Sequence, residues 1–200
     1  MVRRDLGLLW LRVGIGGLVA AHGAQKLFGA FGGNGIEGTA RSFEANGFQP
    51  GRPHALAAGL GELVGGGALA LGLATPAAAA TVAGTMAVAA SSNAHRGFFN
   101  AKGGLEFPGS LAVGAASLAL LGPGRLSLDR ALGNRLARGW MGPFALALAG
   151  AGAVLIARRR RSVLARTAAE RLAAPAERSA NGSTPNSEAD GTTSAASQRS

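Results

Sequence analysis

The residues of this chain that could do chemistry are ionisable groups set inside apolar runs. His22 and Lys26 stand four apart in the run from Leu6 to Phe31, and Glu62 interrupts the run from Ala55 to Leu73. His95 and Arg96 follow the run that opens at Pro76, while Lys102 and Glu106 precede or open the run that ends at Leu121. A charge at the centre of a membrane helix costs about 3 kcal/mol on insertion scales, so each such group needs a partner, a water-filled cavity or an interfacial position. At about 100° of rotation per residue, His22 and Lys26 share one helix face, and Arg12 falls within about 80° of both. If successive runs are antiparallel helices, the end of the first, the start of the second, the end of the third and the start of the fourth meet at one membrane side. His22, Lys26, Glu62, His95, Lys102 and Glu106 would then converge on one pocket able to contact a ligand or handle a proton. The alternatives are a purely structural Glu62–Lys26 pair joining two helices, and simple snorkelling of Lys26, Arg96 and Lys102 to the headgroups. Two His and two Glu without compact spacing do not make a metal site. Glu106, Ser110, Val113 and Ser117 form a stripe expected to face the bundle interior.

Other chemistries lack their residues. With no cysteine, the chain cannot itself carry thiol–disulfide exchange, cysteine-ligated zinc or an iron–sulfur cluster, so a redox role requires a partner or cofactor. The glycine-rich stretch from Gly29 to Gly38 has no following Gly-Lys-Ser/Thr and suits a turn better than a phosphate cradle. No nucleophile elbow or His-Glu-x-x-His motif is present, and no catalytic residue is assigned. The net charge of +10 could point to nucleic acid, but the basic residues lie between the apolar runs and behind the last one, as in a membrane protein. No nucleic-acid partner is expected.

The elements that must position these groups follow from the composition. Of 200 residues, 48% are hydrophobic, only 15% are charged and 33 are glycine, with the polar share concentrated after Arg158. A helix needs about 20 apolar residues, with a lower limit near 17, to cross a bilayer. Leu6–Phe31, Ala55–Leu73, Pro76–Ser92, Leu105–Leu121 and Trp140–Ala157 are the candidate spans, the last stopped by Arg158–Arg161. The first is no cleavable signal, because Arg12 interrupts its apolar region. Residues 29–53 are expected to hold a short amphipathic helix resting Ile36, Ala40 and Phe43 on the membrane surface, with Glu37, Arg41 and Glu44 in water. A surface helix after Ser162 should end at Pro175, and 178–200 lacks the apolar content to fold. Five spans put the N-terminus outside by the distribution of Arg and Lys, whereas four spans with the fifth run in the interface put both termini inside. Gly61, Gly65, Gly66 and Gly67 offer close helix packing in lipid.

These residues form familiar blocks. His22–Gly35 (HGAQKLFGAFGGNG), Gly38–Phe48 (GTARSFEANGF), Gly61–Leu73 (GELVGGGALALGL), Gly97–Pro108 (GFFNAKGGLEFP) and Leu121–Asp129 (LGPGRLSLD) resemble the DoxX family over roughly Leu6–Leu132. The resemblance implies an all-α, polytopic four-helix bundle in the bacterial inner membrane, with some relatives serving as membrane subunits of quinone-linked, detoxification or thiol-redox complexes. It places His22, Gln25, Lys26, Glu62, Gly97 and Glu106 at the family's recurrent polar or glycine positions. The expected organisation is a DoxX-like bundle over 1–132, an extra hydrophobic helix with its arginine stop over 133–161, and a basic, largely disordered tail over 162–200. The expected function is a membrane subunit or anchor of a redox or detoxification complex, its polar pocket holding a quinone or lipid-like ligand. The bilayer, a soluble redox protein and further copies of the chain are the expected partners. A small-molecule or proton-coupled transporter is the alternative, although the two halves show no clear internal repeat.

Overall fold

In the computed structural model, residues 2–181 are described, with side chains described through 173. The chain divides into a unit of residues 1–164 and a second of 165–200. The described residues are all-α, without a strand. The elements are α1 (Val2–Phe28), α2 (Gly35–Ala45), α3 (Gly51–Leu71), α4 (Thr75–Asn93), α5 (Glu106–Leu121), the single turn α6 (Leu128–Ala131) and α7 (Met141–Asn181). Three helices are long and apolar enough to cross a membrane: Val2–Phe28, Gly51–Leu71 and Met141–Ala173. Glu106–Leu121 is apolar but shorter.

Within the first unit, α1, α3, α4 and α5 form an antiparallel bundle. Leu8 and Val19 of α1, Leu69 of α3, Val82 and Met86 of α4, and Leu111 and Leu118 of α5 make its core, with Leu146 of α7 beside them. Lipid gives helices no hydrophobic reason to associate, so the bundle depends on close backbone packing. Glycine supplies it where α1 crosses α3: a Cβ on Gly66 would lie 2.6 Å from both Gly16 O and Ala20 N. Gly61 and Gly65 instead meet the Thr85 and Thr81 side chains of α4, and a Cβ on Gly67 would touch nothing. The hydroxyls of α4 bond back to its own carbonyls, Thr81 to Ala77 at 2.9 Å and Ser91 to Val88 at 2.7 Å, which leaves few of its polar groups for an apolar surrounding to satisfy.

The structure departs from the sequence expectation in four places. The apolar side of α2 packs on α1 and α3 and not on a membrane surface, with Thr39 and Ala40 buried, Thr39 Oγ1 donating to Lys26 O and Gly51 N–H donating to Glu44. The stripe on α5 faces outward: Ser110, Val113 and Ser117 are exposed, and Pro108, Leu111, Ala115 and Leu118 face the core. Ser110 and Ser117 satisfy their hydroxyls on the carbonyls of Glu106 and Val113, so nothing polar drives them inward. The helix α7 continues through the four arginines and past Pro175 to Asn181, arginine being a good helix former. The expectation for the remaining tail falls on residues outside those described. Finally, Arg12 is fully buried at the end of the bundle opposite His22 and Lys26. Ten residues of helix correspond to about 15 Å of rise, which a shared face does not remove.

Candidate functional site

The site is assembled where α1 ends and α3 begins. Lys26, in the last turn of α1, extends Nζ to 2.5 Å from Oε2 of Glu62 on α3. Glu62 is only 4% exposed at its side chain and Lys26 26%, so the carboxylate is the member that depends on the pair. One turn earlier on α1, His22 Nδ1 is 2.9 Å from Gln25 Oε1. An amide oxygen only accepts, so Nδ1 carries the hydrogen of this bond, and whenever the ring is neutral Nε2 is left as an acceptor. The ring is held edge-on against Phe107 of α5 at 5.8 Å between centroids.

A cavity of about 830 Å³ opens beside this group. His22, Lys26 and Glu62 line it together with His54 of α3 and with Asn46 and Phe48 of the turn after α2. Its other walls are apolar or weakly polar: Ala77, Ala80, Thr81, Thr85 and Val88 from α4, and Ala145, Leu148, Ala149 and Ile156 from α7. Along α4 the lining runs from Ala77 to Asn93, about 24 Å at 1.5 Å per residue. The cavity is therefore elongated, with His22, Lys26, His54 and Glu62 from α1 and α3 on one side, Arg96 at its rim and a largely apolar trough between α4 and α7.

The fifth long helix belongs to the site as much as to the bundle. A Cβ on Gly84 of α4 would lie 3.2 Å from Ala149 Cβ, which sets how closely α7 approaches. At the far end, Arg160 Nε donates to Asn46 O at 2.7 Å and its guanidinium lies 5.5 Å from the Phe48 ring centroid. Phe48 also contacts Phe43 and His54, at 5.3 and 5.8 Å between ring centroids. The turn that carries Asn46 and Phe48 to the cavity is thereby fastened to α7.

Of the residues singled out from the sequence, the fold brings His22, Gln25, Lys26 and Glu62 together, Gln25 through its bond to His22. His95 is exposed and turned back to Ser92 O at 2.8 Å, outside the cavity lining. Glu106 is spent on structure, accepting the Asn100 N–H at 2.9 Å to close the turn between α4 and α5. Lys102 is exposed in that turn, whereas Arg96 reaches the cavity rim. His54 was not anticipated, because Pro53 looked like the end of a loop. Proline is tolerated in a first helical turn, and α3 already begins at Gly51. His54 precedes Glu62 by eight residues, within about 80° on the helix, and that spacing is the signal that could have found it.

A second polar group closes the opposite end. Asp129 is fully buried and accepts the N–H groups of Ala74 and Thr75 at 2.8 Å each, satisfying donors at the start of α4. Arg12 donates to Leu126 O, with Asp129 as its counter-charge. Gly72 turns the chain between α3 and α4 at φ 67°, where any Cβ would meet the Arg12 guanidinium.

Residues 7–96 match the DoxX family model. The match covers α1 to α4 and ends at Arg96, so the blocks at 97–108 and 121–129 lie beyond it, as does α7. No curated protein and no solved structure matches the chain. Residues 7–96 are thus similar to the DoxX family, in a chain whose described residues are all-α and include three helices long and apolar enough to span a bilayer.

Proposed function

We propose that the chain is a membrane subunit or anchor of a redox or detoxification complex in the bacterial plasma membrane, and that its cavity holds a quinone or lipid-like amphiphile. The observation that carries this reading is the form of the cavity, polar at one part and largely apolar over the rest, with an α4 lining about 24 Å long in all. A ring or head with carbonyl or hydroxyl groups suits the donors Lys26 and Asn46 and the acceptor Nε2 of His22, and a prenyl or acyl tail suits the walls from α4 and α7. Electron transfer is left to a soluble redox protein. The transporter alternative is favoured by one feature, the Lys26–Glu62 pair at the cavity wall, which could exchange protons with a passing substrate.

The test is purification of the full chain from native membranes in mild detergent, with mass spectrometry of bound small molecules and proteins. A prenylated or acylated amphiphile should be retained near one per chain, and Ala153→Trp, which fills the trough from α7, should lower its occupancy at least tenfold at unchanged Tm. Absence of any such molecule from the wild-type protein, or full retention by the filled variant, would sink the reading. Proton uptake coupled to solute entry in proteoliposomes would favour the transporter.

A further inference from the structure

At the end of the bundle opposite the Lys26–Glu62 pair, a second cleft of about 300 Å³ lies between the end of α5, the Gly122–Gly124 turn and the segment leading into α7. Arg125, Arg130, Arg138 and Asn134 line it, and no carboxylate does. The acids in the neighbouring segments are already engaged. Asp5 accepts the backbone N–H of Arg125 at 3.0 Å, and Asp129 has one oxygen on the N–H of Ala74 and the other on that of Thr75. Among the described residues the only ion pairs are Lys26–Glu62 and Arg52–Glu37, so none of the three arginines lining the cleft is ion-paired. Such an arrangement raises the local potential and favours an anion, most of all one such as phosphate that offers two oxygens to the planar fork of a guanidinium.

Asn134, which lines the cleft, also carries an unmet acceptor. Asn134 is held in the left-handed region at φ 56° and its N–H donates to Asp129 O at 2.6 Å. Its Oδ1 is buried with no hydrogen-bond partner. A phosphodiester alone has no donor to offer it, but a hydroxyl carried beside the phosphodiester would. The volume is that of roughly ten waters at about 30 Å³ each, sufficient for a phosphodiester and a small polyol. Exposed Leu120 and Leu121 line the cleft and exposed Trp140 follows Gly139 of its rim, side chains of the kind that suit a membrane interface.

We propose that this cleft is a binding site for the headgroup of an anionic phospholipid, in which Arg125, Arg130 and Arg138 take the phosphodiester oxygens and the Asn134 side chain, turned from its buried position towards the cleft, accepts a headgroup hydroxyl at Oδ1. The site is separate from the amphiphile cavity and does not depend on what that cavity holds. Its test uses the full chain in mild detergent, with Tm and native mass spectrometry read during titration with phosphatidylglycerol, phosphatidylmethanol, phosphatidylcholine or inorganic phosphate. Phosphatidylglycerol should raise Tm and remain bound, phosphatidylmethanol, which has the charge without the hydroxyls, should bind several-fold more weakly, and phosphatidylcholine should bind weakest. The Arg130→Gln/Arg138→Gln variant should lose at least tenfold in phosphatidylglycerol affinity, whereas Arg3→Gln/Arg4→Gln, which removes the same charge near the N-terminus, should lose less than twofold. Because these arginines are exposed, lipid-free Tm should stay within error in both variants. Equal losses in the two variants would reduce the effect to general surface charge and overturn the site. Stabilisation by inorganic phosphate equal to that by phosphatidylglycerol would overturn the lipid assignment in favour of a free oxyanion, and indifference to the headgroup hydroxyl would overturn the role of Asn134.

Discussion

At the scale of single residues, the asymmetry of the Lys26–Glu62 pair decides what each substitution does. Lys26→Met leaves a carboxylate that is 4% exposed without its cation, while Glu62→Gln leaves an ammonium that is 26% exposed and can relax towards water or headgroups. Lys26→Met should therefore lose more stability, up to about 3 kcal/mol, and the double variant should recover most of that loss. A thermal-stability cycle over the two single variants and the double variant reads the coupling directly, and strict additivity would mean the groups do not interact. If the pair also serves a ligand, the double variant regains stability but not ligand retention. Asp129 at the other end has no such tolerance. Asp129→Asn keeps its shape but loses the charge that holds two backbone N–H groups and balances Arg12, so a loss of about 2–4 kcal/mol is expected from detergent thermal melts. A melt unchanged by this substitution would mean that Asp129 does not anchor α4.

At the scale of elements, α1 and α3 are separated by little more than two backbones. Gly66→Ala puts a methyl 2.6 Å from Gly16 O and Ala20 N, neither of which can rotate away, so the helices must part and about 1–3 kcal/mol should be lost. Gly67→Ala, one residue on, meets nothing within 4 Å and should be neutral or stabilising by up to about 1 kcal/mol through helix propensity. The two substitutions are chemically identical, so opposite signs in a melt would isolate the helix crossing as the cause. The sequence offered Gly61, Gly65, Gly66 and Gly67 as one packing surface. The fold divides them between α1, α4 and open space because successive residues turn by about 100° and cannot all face one neighbour.

At the scale of the whole molecule, α7 runs antiparallel to α5, with Gly142 against the carbonyl of Ala119 at one end of the bundle and Leu164 against Gly47 at the other. This arrangement puts the start of α1 and the arginine-rich part of α7 at opposite ends. Because the chain has no cysteine, Arg3→Cys and Ser162→Cys each introduce a single thiol, and a membrane-impermeant maleimide added to intact cells should label one and not the other. Equal labelling from the same side would contradict five crossings. The apolar runs, their helical form and the separation of charge from hydrocarbon were all legible in the sequence, because they depend on composition and on distances within one helix. So was the meeting of Lys26 and Glu62, which needs only two adjacent antiparallel helices. Rotation about each helix axis and depth along it were settled by packing between helices. Those two variables sent Ser110 and Ser117 outward, carried Arg12 to Asp129 and away from His22, and spent Glu106 on a turn. They also brought His54 and α7 to the cavity, since a residue reaches a site only when its face and its level both agree with those of its neighbours.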